Sequence, residues 1–350
     1  MSTVLPQYSH SQVNRAGDVL RRSDSSNPAR LEAAEILANW RARHNYPINT
    51  FQATLRNKLK TVDEEAVVAQ RLKRIPSIIE KLKRYPGMQL ARMEDIGGLR
   101  AIVSDLDGVQ RLYEGYQRAH FKHVLFKEHD YIRKPKETGY RSIHLVYQYR
   151  NDLNEEARNH NGLLLEVQLR TRLQHAWAAA VETAGTLLNC QLKSGEGPRE
   201  WLDFFAATGS AFAHLEKQPP VPGYQDLSAL ETYRLVARLA QQLMVRQKLS
   251  GFSAVIDNTQ AHEGRTYYLL SLDPVAGSVQ TYAYGRDSFE LATSDYLKAE
   301  EAILTGSQQQ AVLVATKSIQ DLRWAYPSFF LDTKEFLNIL ARIERLASNT

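Results

Sequence analysis

Two short segments, residues 141–150 and 163–170, alternate apolar and polar side chains so regularly that both read as strands, and the rest of the chain must be arranged around them. Successive strand side chains point to opposite faces. In the first segment Ile143, Leu145, Tyr147 and Tyr149 share one face; Ser142, His144 and Val146 share the other, with Tyr140 leading in on the polar side. In the second, Leu163, Leu165, Val167 and Leu169 oppose Glu166, Gln168 and Arg170. A half-exposed antiparallel strand also carries a charged outer face. The preceding loop argues for a site instead: Arg133, Lys134, Lys136 and Arg141 surround the Gly139–Tyr140 pair. Cations for phosphates and a ring for a base are what an anionic, aromatic ligand requires.

Upstream the pattern is helical. Leu31, Ala34, Ile36, Leu37 and Trp40 recur at near-helical spacing, and a second helix is expected over about residues 50–60 after Pro47. Arg41, Arg43 and His44 read as a solvated face. Residues 67–74 read as a strand or extended run, and Pro76 then opens a helix, where its missing N–H costs nothing. Ser77, Lys81 and Arg84 fall on one face of that helix. A helix N-terminus beside clustered cations suits phosphate, although basic surface helices are common. Asp95 precedes a strand over residues 99–104 and suits a turn, a cap or an ion pair with Arg100. A helix over residues 109–120 and a short strand over 123–126 follow. A helix over 172–188 comes after the second alternating segment, with Trp177 and its alanines suited to packing on a sheet.

These residues carry a resemblance. Asp130-Tyr131-Ile132, then Pro135-Lys136-x-x-Gly139-Tyr140-x-Ser142-x-His144, then Glu166-x-Gln168-x-Arg170-Thr171 is similar to the signature of the RelA/SpoT synthetase family. Arg71-x-Lys73-x-x-x-Ser77-Ile78-x-x-Lys81 and Asp95-Ile96-x-Gly98-x-Arg100 match further family patterns. The likeness covers roughly residues 50–190. It departs after Glu182, where Thr183 stands in place of the histidine of many relatives and a downstream Tyr-Lys pair is absent.

The resemblance implies an α/β (α+β) fold: a mixed sheet flanked by helices, like the nucleotidyltransferases, in a synthetase domain. It implies transfer of the β,γ-pyrophosphate of ATP to the 3′-hydroxyl of GDP or GTP. Arg71, Lys73, Ser77 and Lys81 would bind ATP phosphates, with Arg84 and Arg100 nearby. Asp95 and Glu166 would hold Mg²⁺, which prefers oxygen ligands; Glu166 would also be the base, with Gln168 and Arg170 ordering its surroundings. Tyr140 would stack on the acceptor base, and Lys134, Lys136, Arg141, Ser142 and His144 would line the acceptor side. Two other readings stay open: a toxic relative that pyrophosphorylates the 3′ end of tRNA, as in fused toxin–antitoxin members acting in phage defence, and a non-catalytic nucleotide-binding regulator. Hydrolysis of the alarmone is not expected. The His129-Asp130 pair sits inside the acceptor loop without partner histidines at metal spacing.

The 350 residues are long enough for two domains, and a net charge of +5 suits a phosphate-rich ligand without demanding one. The single cysteine, Cys190, excludes an internal disulfide and a cysteine-based zinc site. No apolar run approaches a membrane span and residues 1–16 lack a signal core, so a cytoplasmic protein is expected. A polar segment over 1–30, a synthetase domain over 31–217, a Pro-rich linker over 218–223 and an α+β module over 224–350 are the expected divisions. In the last module a helix is expected over 227–249, strands over 253–258, 266–273, 279–284 and 311–316, and helices over 288–303 and 333–347. With no metal-type cluster, that module is expected to regulate the synthetase, bind a trigger or support a homo-oligomer, so that a chain ending near Gln218 would keep the whole site.

Overall fold

The structure is a computed structural model describing residues 4–22, 27–118, 121–188, 190–250, 265–273, 278–285, 287–304, 310–315 and 333–348. The expected strand over 253–258 lies outside the described residues. The chain opens with three helices, α1 (His10–Arg21), α2 (Asn27–Ala42) and α3 (Asn45–Val62). Strand β1 (Val67–Leu72) and helix α4 (Ile75–Arg84) follow, then β2 (Gly97–Val103), α5 (Leu106–Gln117), β3 (Val124–Asp130) and β4 (Ile143–Gln148). After the short α6 (Glu155–Arg158) come β5 (Leu164–Thr171), α7 (Arg172–Leu187) and α8 (Arg199–Leu215). Beyond the Pro-rich stretch lie α9 (Ala229–Gln242), α10 (Val245–Ser250), β6 (Arg265–Asp273), β7 (Ser278–Gly285), α11 (Phe289–Leu304), β8 (Gln310–Ala315) and α12 (Lys334–Ser348).

The eight described strands form one mixed sheet in the order β3-β4-β5-β2-β1-β8-β6-β7. β2 and β5 run parallel, while the other pairings described are antiparallel. The mixed sheet flanked by helices is the fold class expected from the sequence. Strands from both sides of the Pro-rich stretch share this sheet: β8 adds to the edge of β1, pairing Gln70 with Ala315 and Arg71 with Val314.

The alternation of β4 and β5 sorts the two faces as expected. Leu99, Leu145, Tyr147, Leu165, Val167 and Leu169 join Phe51, Leu55, Val109 and Leu112 in a core between the sheet and helices α3 and α5. On the other side, α7 and α8 pack with α9, α10 and α12 around Trp177, Phe204, Phe205, Phe212 and Phe336. A third core joins α1, α2 and α4 through Leu20, Leu37, Trp40, Ile78 and Leu82. Helix α7 starts cleanly because Thr171 and Gln174 form a reciprocal capping box.

The structure departs from three expectations. Arg41, Arg43 and His44 are buried rather than solvated. Arg43 donates to the Asn159 carbonyl at 2.9 Å, and burial pushes His44 down to about 3 while its Nδ1 stays 2.9 Å from the Trp40 carbonyl. The helix expected over 227–249 is two helices, because Met244 takes a left-handed conformation (φ 52) that lets Val245 and Leu249 turn into the core. The short strand expected over 123–126 runs on to Asp130 as an exposed sheet edge.

Candidate functional site

The polar face of the sheet is the floor of a cleft of about 1390 Å³, larger than the ~300–1,000 Å³ typical of a site for one small molecule. Strand register builds the floor in two rows. One row runs His129, His144, Gln168, Arg100 and Ala69 across β3, β4, β5, β2 and β1; the next runs Lys127, Val146, Glu166, Gly98 and Arg71. All ten residues line the cleft. Helix α4 and the turn before it line it with Lys73, Arg74, Ser77, Lys81 and Arg84; Glu182 on α7 and residues 190–194, 196 and 197 line it as well.

Asp95 is the acidic centre of the α4 side. Lys73 Nζ donates to its Oδ2 and Lys81 Nζ to its Oδ1, each at 2.9 Å. Burial alone would raise the carboxyl's pKa, but the two ammonium groups outweigh it and hold Asp95 well below the usual carboxylate range. Burial in turn lowers the pKa of Lys73. Arg84 closes this side at the rim, donating to Glu196 at 2.9 Å and to Ser194 at 2.7 Å.

Glu166 is the second acidic centre. Its Oε1 lies 2.6 Å from His144 Nδ1 and its Oε2 accepts from Gln168 Nε2 at 2.7 Å, while Gln168 Oε1 accepts from Arg100 Nε at 3.4 Å. Burial again pushes the carboxyl toward its neutral form, and His144 and Gln168 outweigh it, so Glu166 sits below its ordinary range. The nearby Asp95 charge opposes that shift, so the two carboxylates feel one another. Also lining the cleft, Lys193 Nζ donates to Glu182 Oε1 at 2.7 Å. Burial drives the Lys193 ammonium down to about 8, against the pull of Glu182.

On the β4 side Tyr140, Lys136 and His144 line the cleft together with Tyr131. Lys136 Nζ stands 4.5 Å from the centre of the Tyr131 ring and 5.5 Å from that of Tyr140. Tyr140 is only 4 % exposed; its hydroxyl lies 2.8 Å from His144 Nε2 and its ring packs against Trp177. The turn before it is fixed by Gly139 (φ 94), whose Cα would lie 2.8 Å from a Cβ placed on Gly209 of α8. The contact seats Gly139, a motif residue, against a helix that lies outside the matching motifs.

Of the residues singled out in the sequence, the cleft gathers Arg71, Lys73, Ser77, Lys81, Arg84, Asp95, Arg100, Lys136, Tyr140, His144, Glu166 and Gln168. It does not gather Lys134, Arg141, Ser142 or Arg170. Lys134 is exposed on the loop. Arg141 is buried, donating to the carbonyls of Ile132 and Pro219; Ser142 donates to the Leu169 carbonyl at 3.0 Å; and Arg170 turns under the floor to His175. These three brace the strands and the linker. The sequence reading missed Arg74, Tyr131 and Lys193 as cleft residues. Tyr131 lies inside the Asp130-Tyr131-Ile132 motif, whereas Lys193 lies past the end of α7 and outside every matching motif.

Fold and site together define an α/β protein in which Glu166 on the sheet and Asp95 in the turn before β2 share one cleft with clustered cations. Residues 70–185, from β1 to α7, match the family model described as the region found in RelA/SpoT proteins. Over 114 residues the chain is 36% identical to the GTP pyrophosphokinase YjbM of Bacillus subtilis, covering 32% of this chain and 52% of that protein. It is 29% identical over 142 residues to a GTP pyrophosphokinase of Haemophilus influenzae, covering 41% of this chain and 18% of that protein. The chain thus spans about half the length of the first relative and less than a fifth of the second. A solved structure, small alarmone synthetase 1 from Bacillus subtilis bound to its product pppGpp, is 25% identical, with a TM-score of 0.42 over 51% of this chain and 93% of that one. Among the described residues no helix is long and apolar enough to cross a membrane.

Proposed function

We propose that this protein transfers the β,γ-pyrophosphate of ATP to the 3′-hydroxyl of a guanine nucleotide and releases AMP. The observation that carries the reading is the placement of ionised Asp95 and Glu166 in one cleft, with Lys73 and Lys81 beside the first, His144 beside the second, and Arg71 also lining the cleft. The names of the curated relatives, GTP pyrophosphokinases, agree with it.

In this reading Arg71, Lys73 and Lys81 bind the donor phosphates, with Ser77, Arg84 and Arg100 around them. Tyr140, Lys136 and His144 hold the acceptor. The acceptor's O3′ forms a bond to the β-phosphorus as the bond from that phosphorus to the bridging α,β-oxygen breaks, and AMP leaves with that oxygen. The 3′-hydroxyl proton passes to Glu166, which His144 and Gln168 keep ionised. The developing charge stays on phosphate oxygens, so positioning and neutralisation are the main demands. Asp95 and Glu166 fit Mg²⁺: both are ionised oxygen ligands in a polar cleft, and two carboxylates plus substrate phosphates are a usual set for this ion. Bound there, the ion would supply neutralising charge between the two carboxylates and the phosphates.

We assign the synthetase to residues 31–217 and a regulatory role to residues 224–350, joined through 218–223. A tRNA acceptor is disfavoured because cations that a basic track would need are used internally: Arg41 and Arg43 are buried, and Lys58 Nζ donates to the Gly115 carbonyl at 2.6 Å. The test offers ATP labelled in its γ-phosphate with GDP, GTP or deacylated tRNA. Label in a small guanosine product is expected; label on tRNA alone, lost when the 3′ end is trimmed, overturns the choice of acceptor.

A further inference from the structure

The turn from β1 to α4 carries the side chains of Lys73 and Arg74 into the cleft, yet it is held from outside the RelA/SpoT region. Helix α4 has no side-chain cap of its own: Arg74 occupies the cap position without making the bond, and Pro76 in the first turn has no N–H. Glu300 of α11 does what a capping side chain would do, its Oε1 accepting from the Ile75 N–H at 3.0 Å. The same carboxylate is gripped by Arg41 of α2, through Nη2 at 3.2 Å and through a short contact of Nη1. Tyr296 completes the cluster, its hydroxyl donating to Glu300 at 2.7 Å and accepting from Arg41 at 2.6 Å. Arg41 Nε then donates to the Lys73 carbonyl at 2.9 Å. Arg41 and Glu300 side chains are each 1% exposed.

Carbonyl 73 and amide 75 are therefore bracketed by one buried ion pair, two bonds from a single turn. We propose that Glu300, through Arg41, is a positioning residue for the nucleotide donor: it fixes the turn from which Lys73 reaches Asp95 and α4 presents Ser77 and Lys81. The inference rests on the donor assignment above and adds that part of donor binding is set by the segment beyond the Pro-rich stretch. Pairing of β8 with Gln70 and Arg71 anchors the same strand from the same segment. A carboxylate seated at the start of α4 also means that donor phosphates depend on the side-chain cations more than on the helix end.

The test uses the full chain and two variants. Glu300→Gln keeps the shape and one acceptor but removes the charge. Arg41→Met/Glu300→Met removes both charges together, so that neither is left buried alone. Binding of a non-hydrolysable ATP analogue is measured directly, alongside KM for each substrate and the thermal melt. Displacing a positioned group by a fraction of an ångström is costly, so ATP-analogue affinity is expected to fall about tenfold in the double variant and less in Glu300→Gln. The acceptor KM should stay within about twofold, since the bracket touches only the donor wall. Should the double variant fail to fold, Glu300→Gln decides by the same split. Analogue binding retained by folded variants, or equal loss for both substrates, overturns the inference and leaves the donor assignment standing. An intact wild-type chain that binds no ATP analogue overturns the donor assignment itself, and the inference with it.

Discussion

Nδ1 of His144 lies 2.6 Å from Oε1 of Glu166, which ties the polar face of β4 to that of β5. The other ring nitrogen faces the Tyr140 hydroxyl at 2.8 Å. A neutral imidazole satisfies both contacts only with its proton on Nδ1, donated to the carboxylate, while the tyrosine O–H donates to Nε2. Glu166→Gln breaks this arrangement at its centre. The expected outcome is a fall in kcat of about 10²–10⁴, the usual value of a positioned base, with a nearly unchanged melt. Near-normal turnover in a folded variant would remove Glu166 from the reaction.

Asp95 holds two lysines that would otherwise repel each other. Asp95→Asn should therefore loosen the donor wall and raise the Mg²⁺ concentration needed for half-maximal rate. A titration of rate against Mg²⁺ checks this. An unshifted midpoint at full activity would show that Asp95 only orders the lysines.

Lys193 gives a pH prediction. Its ammonium is lowered to about 8, so it is charged below that pH and neutral above it. Attraction for a phosphate-bearing substrate is present at neutral pH and lost as pH rises through about 8. For a single group this lowers kcat/KM by about tenfold per pH unit beyond the pKa, read on the free enzyme. Lys193→Arg, which stays charged, should flatten the profile between pH 7 and 9. An identical alkaline limb in that variant would assign the limb to another group.

Tyr140 is a core residue as well as a cleft residue. Tyr140→Ala should lower stability by about 3–5 kcal/mol, as for other buried aromatic truncations, besides weakening acceptor use. Tyr140→Phe loses only the bond to His144, worth about 0.5–1.5 kcal/mol, and should keep most of the melt. A Tyr140→Ala protein that melts like the wild type would contradict the packing against Trp177.

Periodicity made the cleft floor legible. Alternation alone put Leu165, Val167 and Leu169 in the core and Glu166 and Gln168 on the polar face, and the structure agrees. The rule failed one step further along, where Arg170 adjoins the start of α7 and turns to His175 instead of following the row. In the Gly139 loop, charge could not say which cation faces the ligand side. Lys136 lines the cleft, but Arg141 is spent on the Ile132 and Pro219 carbonyls, the second of which lies 78 residues away and beyond any local pattern. Arg41 looked solvated because its partner Glu300 lies 259 residues away, beyond any local pattern.

The same long-range packing decides what a shortened chain will do. The Pro-rich stretch suggested that a chain ending at Gln218 would keep a complete, soluble site. The predicted cleft residues do precede it, but part of their support does not. Phe336 of α12 places its ring centre 6.3, 6.0 and 5.9 Å from those of Phe204, Phe205 and Phe212 on α8, the helix against which Gly139 and Trp177 pack. Ending the chain at Gln218 would uncover that aromatic cluster, strip β8 from the edge of β1 and leave the Arg41 charge without Glu300. Each change is of a kind that destabilises or promotes association: exposed apolar area, an open strand edge and an unpaired buried cation. The shortened chain is expected to be aggregated or to melt far below the full protein. Phe336→Ala in the full chain should lose about 3–5 kcal/mol by itself. Size-exclusion chromatography and thermal melts measure both. A monodisperse shortened chain with a wild-type melt would show that the first 218 residues fold alone and that the later segment only rests on them.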